Sequence, residues 1–438
     1  MNPEAIKFHI HTFGCQMNEN DSERIAGMLL TKGAEISPSF EESDLIIINT
    51  CAVREKSEEK LYSLLGRLES LKKSTGVRIA VVGCVAQLHG SRLLEKKPFI
   101  DFIAGPHSYH EIFHILSDNR PQKAIATSFH QRWHEFSPSP AGRESHISAF
   151  VTIMEGCNNF CSYCVVPFTR GREKCRPLKN IIREAGELAL AGYKEIQLLG
   201  QNVNSYQDPD EGKCFSDLLR EVNRIEGIER IRFITSHPKN FNSDIAQAMK
   251  ECTKVCHQLH LPAQSGSNSI LKDMNRGYTR EQYLEKISLL RQLMPDISLS
   301  TDIIVGFPGE KEKDYHDTLK LLEEVRFTNI FSFCYSPRPL TAASKRKEKV
   351  SLAEKKGRLI KLQRFQKNLQ MEINKTFLNK IIPVLCHGKS KKDTGFYSGR
   401  NEGFQVVNFK SNNDVTGHFV DVRITSCGPY SLRGEAVC

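Results

Sequence analysis

The chain has 438 residues, 39% hydrophobic and 26% charged, which is enough apolar material for two or three packed domains and excludes a disordered or fibrous chain. No secretion-type apolar stretch opens it, and no run approaches the ~20 apolar residues of a membrane-spanning helix, so a cytoplasmic protein is expected. In that compartment fourteen cysteines point to metal or catalysis ahead of disulfides, and a net charge of +10 points to a polyanionic partner.

Residues 1–127 read as strands alternating with helices. Residues 7–13 alternate in polarity and run into Gly14-Cys15. A helix follows, with Asn18, Asn20 or Asp21 as cap, Ile25, Met28 and Leu29 on one face, and Gly33 at its end. Residues 45–48 form a short apolar strand that ends at Asn49-Thr50-Cys51. The charged stretch 54–73 reads as a helix with Leu61, Leu64, Leu65 and Leu68 aligned, and a third strand at 79–82 ends at Gly83-Cys84. Continuous apolar strands between helices predict an open parallel sheet covered on both faces. Ligands in such sheets bind beyond the carboxyl ends of the strands, and Cys15, Cys51 and Cys84 all occupy that edge. Residues 128–146, polar and rich in Ser and Pro, read as a linker; Trp133 within them is assigned no role.

From 149 to about 336 come six strand candidates: 150–154, 195–199, 232–235, 258–261, 300–305 and 330–334. Each runs into loop chemistry: GCNNFCSYC, GQNVNS, SHPKN, PAQSGS, GFPGE and SPRP. Six such units predict an incomplete (β/α)6 barrel of the triosephosphate-isomerase type, with its functional groups on the loops after the strands. Residues 344–367 carry ten Lys and Arg against Glu348 and Glu354, and read as a basic helix. Beyond it, β-like runs at 381–385, 404–409 and 419–424 between Gly- and Asn-rich turns predict a small antiparallel β-barrel. The expected division of this α/β chain is 1–127, the linker 128–146, 147–372 including the basic helix, and 373–438.

Cys157, Cys161 and Cys164 form C-x3-C-x2-C directly after the first barrel strand. Three thiolates so spaced can hold three irons of a four-iron cubane (4Fe-4S) and leave the fourth without a protein ligand. Buried structural cysteines or zinc are the alternatives, and the absence of a nearby fourth ligand argues against zinc. Cys15, Cys51 and Cys84 can do the same if the fold gathers them. Two open-iron clusters imply chemistry, since electron storage needs no vacant position. Tyr163 offers an aromatic wall beside the first set. Cys252 and Cys256 lack a third partner, precede a strand, and read as structural.

The segments FGCQMNENDSERI, NTCAVREKSEEKL, GCNNFCSYCVVPFTRGRE, LLGQNVNSY, FITSHPKNF, LHLPAQSGS, MNRGYTRE and STDIIVGFPGE resemble the methylthiotransferases of the radical S-adenosylmethionine superfamily, over essentially the whole chain. NTCAVREK and TSHPKNF favour the branch acting on N6-isopentenylated adenosine of tRNA over those acting on threonylcarbamoyl-adenosine or on a ribosomal-protein aspartate. The resemblance implies an N-terminal methylthiotransferase domain, a radical S-adenosylmethionine barrel and a C-terminal TRAM domain for RNA. It implies two 4Fe-4S clusters and two S-adenosylmethionine molecules. The cluster on Cys157, Cys161 and Cys164 would cleave S-adenosylmethionine to a 5′-deoxyadenosyl radical, which abstracts hydrogen from carbon 2 of the adenosine. The cluster on Cys15, Cys51 and Cys84 would supply sulfur, methylated beforehand.

Candidates for S-adenosylmethionine contacts lie at strand ends. Gln201 and Asn202 suit the amino group, Ser236, Gln264 and Ser265 the ribose or carboxylate, and Asp302 with the 306–309 turn the adenine or methionyl part. Arg170, Arg172 and Arg276 either pair with an anion or lie solvated. For RNA, Lys389, Lys391, Lys392, Arg400 and Lys410 are candidate phosphate contacts, and Phe396, Tyr397 and Phe404 candidate stacking platforms or barrel core. The expected partners are the anticodon stem-loop of an isopentenylated tRNA, an electron donor such as flavodoxin or ferredoxin, and a sulfur and cluster supply system. No membrane is expected, and a monomer is. Cys175 and Leu340 depart from the family pattern, which has Ser and Gly there. The alternatives are a radical enzyme with another outcome, such as methylation, and an RNA-binding module with structural clusters.

Overall fold

The computed structural model describes residues 6–113, 124–130, 133, 142–143, 145–347 and 350–437. Most of the 128–146 linker lies outside the described residues. Within it, Trp133 packs against the Arg24 guanidinium, 5.8 Å from its ring centre.

The N-terminal unit is a parallel sheet in the order β2-β1-β3-β4-β5-β6. Its strands are Lys7–Phe13, Glu35–Ile36, Leu45–Thr50, Arg78–Val82, Phe102–Ala104 and Ala124–Ala126, numbered β1 to β6. Every residue of β3 is buried, because alternate side chains feed opposite apolar layers. Ile46, Ile48, Ile79 and Val81 join Leu61, Leu64, Leu65 and Leu68 of helix α2 (Glu55–Thr75) on one face. On the other face Leu45, Ile47, Ala80 and Val82 meet Ile25 and Leu29 of helix α1 (Gln16–Leu30). Each large side chain so buried stabilises by about 1.5–3 kcal/mol.

Pairing register brings the strand ends level. Phe13 pairs with Thr50, and Asn49 with Val82. The residues just beyond, Cys15, Cys51 and Cys84, therefore meet at one edge. The start of α1 differs from expectation. Cys15 stands at its N-cap, while Asn18, Asn20 and Asp21 lie inside the first turns and are fully buried. These polar residues are covered because α1 is sandwiched between its own sheet and the barrel. Asn20 Oδ1 accepts from Thr152 Oγ1 at 2.6 Å, and Gln16 Nε2 donates to Gln197 Oε1 at 2.7 Å.

The central unit has six parallel strands in chain order around an arc: Ser148–Thr152 (β7), Glu195–Leu199 (β10), Arg230–Phe233 (β11), Gln258–His260 (β12), Ser298–Val305 (β13) and Asn329–Cys334 (β14). Met154–Glu155 (β8) and Lys174–Cys175 (β9) form a small antiparallel ribbon flanking the first loop. The bridge Ile231–Val255 joins the two halves of the arc. This is the incomplete barrel, with its core built by the strands and the surrounding helices. Cys252 and Cys256 are both 3% exposed and act as small core residues, as read from the sequence.

The basic segment is helical over Leu352–Lys375, capped by Ser351, rather than from 344. The last unit is a closed barrel in the order β15-β16-β17-β19-β18, formed by Ile381–Lys389, Tyr397–Asn401, Val406–Lys410, Phe419–Cys427 and Leu432–Ala436. Its pairs are antiparallel except β17 with β19, which is parallel. The 400–405 turn of this barrel plugs the amino-terminal mouth of the central arc. Arg230 donates to the carbonyls of Arg400 and Pro383, and Arg232 to those of Asn401 and Glu402. Ser298 Oγ donates to the carbonyl of Gly403. Among the described residues no helix is long and apolar enough to cross a membrane.

Leu340 sits at φ 68° and is 60% exposed, so a branched side chain occupies a turn position that favours glycine and gains little burial. Leu340→Gly is expected to raise stability by about 1 kcal/mol. A thermal midpoint unchanged or lowered by this substitution contradicts the strain argument.

Candidate active site

In the N-terminal set of Cys15, Cys51 and Cys84, the first thiol is held by a pair of asparagines. Cys15 Sγ donates to Asn18 Oδ1 at 3.3 Å. Asn18 Nδ2 donates to Asn49 Oδ1, and Asn49 Nδ2 returns a bond to the Asn18 carbonyl, both at 2.9 Å. The glycines before Cys15 and Cys84 make room for this pair. A Cβ on Gly14 would stand 2.6 Å from Asn18 Oδ1, and one on Gly83 would collide with Asn49 Oδ1. Cys84 starts helix α3 (Cys84–His89), and Val53 N–H donates to Cys51 Sγ at 3.3 Å. Cys51 and Cys84 are buried and Cys15 is exposed, which leaves the set one open side. A hydrogen bond from Cys51 lowers Cys15 to about 6 and pushes Cys51 well above a free thiol. Burial raises Cys84, with the Arg170 charge pulling the other way.

The second set lies on the loop after β7 and β8. Gln201 Oε1 accepts from Gly156 N–H at 2.5 Å, and Cys157 N–H donates to the Gly171 carbonyl at 3.2 Å, so two neighbouring loops fix its start. Cys164 N–H closes a turn onto the Cys161 carbonyl at 2.9 Å. Arg276 Nη1 donates to Cys161 Sγ at 3.3 Å and to the Tyr163 hydroxyl at 3.4 Å. His237 Nδ1 accepts from Lys239 N–H at 3.1 Å, so its proton is on Nε2, facing Cys161 Sγ at 3.8 Å. Burial, then the Arg276 and Lys239 charges, lower His237 to about 2 and keep it neutral. Cys157 is raised by burial, and Cys164 is pushed up to about 12 by burial and then by Cys161. Among the described residues no three His, Cys, Asp or Glu side chains converge on a single-ion site. A cubane asks for a different arrangement, one thiolate for each of three separate irons.

The predicted S-adenosylmethionine contacts line the same end of the arc, and several carry polar atoms with nothing to bond. Gln201 Nε2, Asn202 Oδ1 and Ser236 Oγ are buried without partners. Such atoms are costly unless a ligand meets them, and they fit the amino, carboxylate and hydroxyl groups of this cofactor. Asn202 Nδ2 is held by Glu173 and Asn240 at 3.2 and 3.1 Å, which aims its oxygen. Gln264 has φ 69° and bridges to Ile303 through its backbone. Ser265 is engaged elsewhere: its hydroxyl bonds Thr318 Oγ1 at 3.3 Å and accepts from Ser267 N–H. Asp302 faces His260 Nε2 at 3.5 Å, with Phe331 edge-on to that imidazole. Behind the 306–309 turn, Glu310 accepts from Gly306 N–H at 2.9 Å and pairs with Arg358 at 2.5 Å.

Of the arginines left open by the sequence, Arg276 and Arg170 are buried at 4% and 3% exposure. Arg172 lies over the Phe160 ring, 5.2 Å from its centre. For Arg170 the signal is positional, a place shortly after the Cys164 loop, whereas Arg276 has no cysteine beside it in the sequence and meets Cys161 only through the fold.

Curated relatives match along almost the entire chain. The tRNA-2-methylthio-N(6)-dimethylallyladenosine synthase of Geobacter metallireducens is 46% identical over 430 residues, covering 98% of this chain and 97% of its own. That of Clostridium tetani is 45% identical over 435 residues, covering 98% and 96%. The chain belongs to the tRNA-2-methylthio-N(6)-dimethylallyladenosine synthase family. Membership makes it a transferase of the radical S-adenosylmethionine kind, using an iron–sulfur cluster and S-adenosylmethionine. Its domain models follow the units described: uncharacterized protein family UPF0004 at 7–105, the radical SAM superfamily at 151–322 and the TRAM domain at 375–437. Solved structures share the fold at low identity. The radical S-adenosylmethionine methyltransferase TsrM of Kitasatospora setae, with tryptophan and a cofactor analogue bound, gives a TM-score of 0.58 at 14% identity, covering 78% of this chain and 75% of that one. The cobalamin-dependent S-adenosylmethionine radical enzyme OxsB gives 0.54 at 14%, covering 83% and 56%.

The family's TRAM unit divides the residues read as RNA contacts. Lys389, Lys391, Lys392 and Lys410 are exposed. Lys410 and Arg433 flank the Phe396 ring at 5.6 and 5.3 Å, a cation-lined aromatic that suits RNA. Tyr397 stacks on Phe409 at the barrel core. Phe404 lies instead between Arg232 and Arg400, at 4.9 and 4.0 Å, so both Phe404 and Arg400 serve the joint with the central arc. On the basic helix, Lys356, Lys361, Arg364 and Lys367 face solvent, whereas Lys355 and Arg358 are buried.

Proposed function

We propose that this chain catalyses methylthiolation of carbon 2 of N6-isopentenyladenosine next to the tRNA anticodon, giving 2-methylthio-N6-isopentenyladenosine. The reading uses two 4Fe-4S clusters and two S-adenosylmethionine molecules. The observation that carries it is the pairing of two separate three-cysteine sets at the carboxyl ends of two abutting parallel sheets. The relatives from Geobacter metallireducens and Clostridium tetani carry the same activity in their names. The division 1–127, 128–146, 147–372 and 373–438 is part of this reading.

In it, Cys157, Cys161 and Cys164 hold one cluster, and Cys15, Cys51 and Cys84 the other. Together with S-adenosylmethionine they supply one-electron cleavage of a carbon–sulfur bond and hydrogen abstraction from an unactivated carbon. The protein orients and insulates. Gln201, Asn202, Ser236, Gln264 and Asp302 bind the cofactor, with Ser265 bracing the loop. Arg276 and the Nε2–H of His237 donate to Cys161 and stabilise its thiolate. The 400–405 plug closes the far mouth of the arc against water. The exposed basic helix face and the Phe396 patch hold the tRNA. A monomer, a cytoplasmic location, a flavodoxin- or ferredoxin-type donor and a sulfur and cluster supply system complete the scheme.

The test is nucleoside mass spectrometry on isopentenylated tRNA after anaerobic incubation with reconstituted protein, dithionite, sulfide and S-adenosylmethionine. The expected product carries one methylthio group on isopentenyladenosine. Release of 5′-deoxyadenosine with no mass gain moves the substrate to one of the related branches.

A further inference from the structure

Arg170 is a residue of the central unit that reaches into the N-terminal thiol set. It ends the short helix Val166–Thr169, which follows Cys164 and packs against α3, the helix that Cys84 begins. Val165, the neighbour of Cys164, is buried in the same apolar layer as Cys84, Val85 and Ala86. The two cysteine sets are thus joined through one short, buried segment.

The guanidinium at its end is 3% exposed. Its Nη2 donates to Asp21 Oδ2 at 2.5 Å, and the Tyr109 hydroxyl donates to the same oxygen at 3.0 Å. The Arg170 carbonyl accepts from His107 Nε2 at 3.0 Å, which fixes the backbone. Its Nη1 is buried and has no hydrogen-bond partner. It stands between the helix that Cys84 begins, against which its own short helix packs, and α1, which Cys15 caps and which carries Asp21. A buried guanidinium with one arm tied to a carboxylate and the other without a hydrogen-bond partner, at the elements that carry Cys84 and Cys15, is a built site for an anion.

We propose that Arg170 binds, through Nη1, the anionic sulfur ligand held at the Cys15, Cys51 and Cys84 set. The proposal rests on the sulfur-supplying role of that set given above. The class of ligand is a small thiolate or hydrosulfide. A soft sulfur anion bound to iron still carries charge, and a guanidinium meets it without adding a proton donor acidic enough to release it as the neutral thiol. No bond is made or broken by Arg170.

The experiment uses the full chain with Cys157→Ala, Cys161→Ala and Cys164→Ala, so that a single cluster is reconstituted. Methanethiolate is titrated against the reduced cluster, followed by its electron paramagnetic resonance. Arg170→Lys keeps the charge. The double variant Arg170→Met with Asp21→Asn removes the buried ion pair together, so that no lone carboxylate is left inside. The expected result is a ligand-induced spectral change in the parent. In the double variant the affinity falls about ten- to a hundredfold, and Arg170→Lys lies between. Equal affinity in parent and double variant, at equal iron content, overturns the proposal while leaving the sulfur-supplying role intact. A parent cluster that does not respond to methanethiolate removes that role, and the proposal with it.

Discussion

Cys157→Ala is expected to abolish release of 5′-deoxyadenosine from S-adenosylmethionine, while Cys51→Ala leaves that release within about twofold of the parent and stops thiolation of tRNA. The reasoning is geometric. Cys157 belongs to the loop whose backbone is tied to Gln201 and Gly171, inside the ring of unpaired polar atoms that suits the cofactor. Cys51 lies across the domain boundary, hydrogen-bonded to Cys15 and met by the Val53 N–H. Losing one of three thiolates forfeits a cluster without touching the other set. Chromatography of the small-molecule products and mass spectrometry of digested tRNA separate the two outcomes. Thiolated tRNA from Cys51→Ala would end the sulfur-supplying role of the N-terminal set.

Gly156→Ala should be nearly as damaging without altering a single ligand. A Cβ there would collide with the carbonyl oxygen of Arg172 and lie 2.7 Å from that of Gly171, and the residue has φ 81°. Both obstacles are backbone, so no side chain can swing aside. The left-handed conformation costs about 1–2 kcal/mol for alanine. Displacing the packed loop adds about 1–3 kcal/mol. The expected loss is therefore around 3 kcal/mol, centred on the segment that presents Cys157. Iron content should fall with the thermal midpoint, since the first thiol moves away from the other two. Gly66→Ala is the matching control. It lies inside α2 with open space around it and should stabilise by about 1 kcal/mol. Full iron loading of Gly156→Ala contradicts the argument.

The cysteine sets were legible because each follows an apolar strand, and ligands of parallel sheets bind beyond the carboxyl ends of the strands. Register could not be read locally, yet it alone turns three distant cysteines into neighbours. The start of α1 was misread for a physical reason. Asn18, Asn20 and Asp21 look like caps, but they are polar because they bridge to Asn49, Thr152 and Arg170 in other elements. The burial of Arg170 and Arg276 was equally opaque, since an arginine in a short polar motif looks the same whether solvated or buried. Arg400 and Phe404 read as RNA contacts from charge and aromaticity, and the stack with Arg232 explains both features differently. Strands β16 and β19 escaped notice because Gly399, Arg400, Arg433 and Gly434 interrupt any apolar alternation.

The plug between the TRAM barrel and the central arc has a consequence for which RNAs can react. Arg230 and Arg232 grip main-chain carbonyls, so the joint is fixed at the end of the arc opposite the thiols. The Phe396 patch and the cysteine loops then stand at a set separation, like the jaws of a caliper. In the proposed reading, an RNA engaged by one jaw offers its base to the other only if the stretch between them has the right length and bend. Selection by span can reject an adenosine with the correct modification in the wrong place, with no need to read the sequence around it.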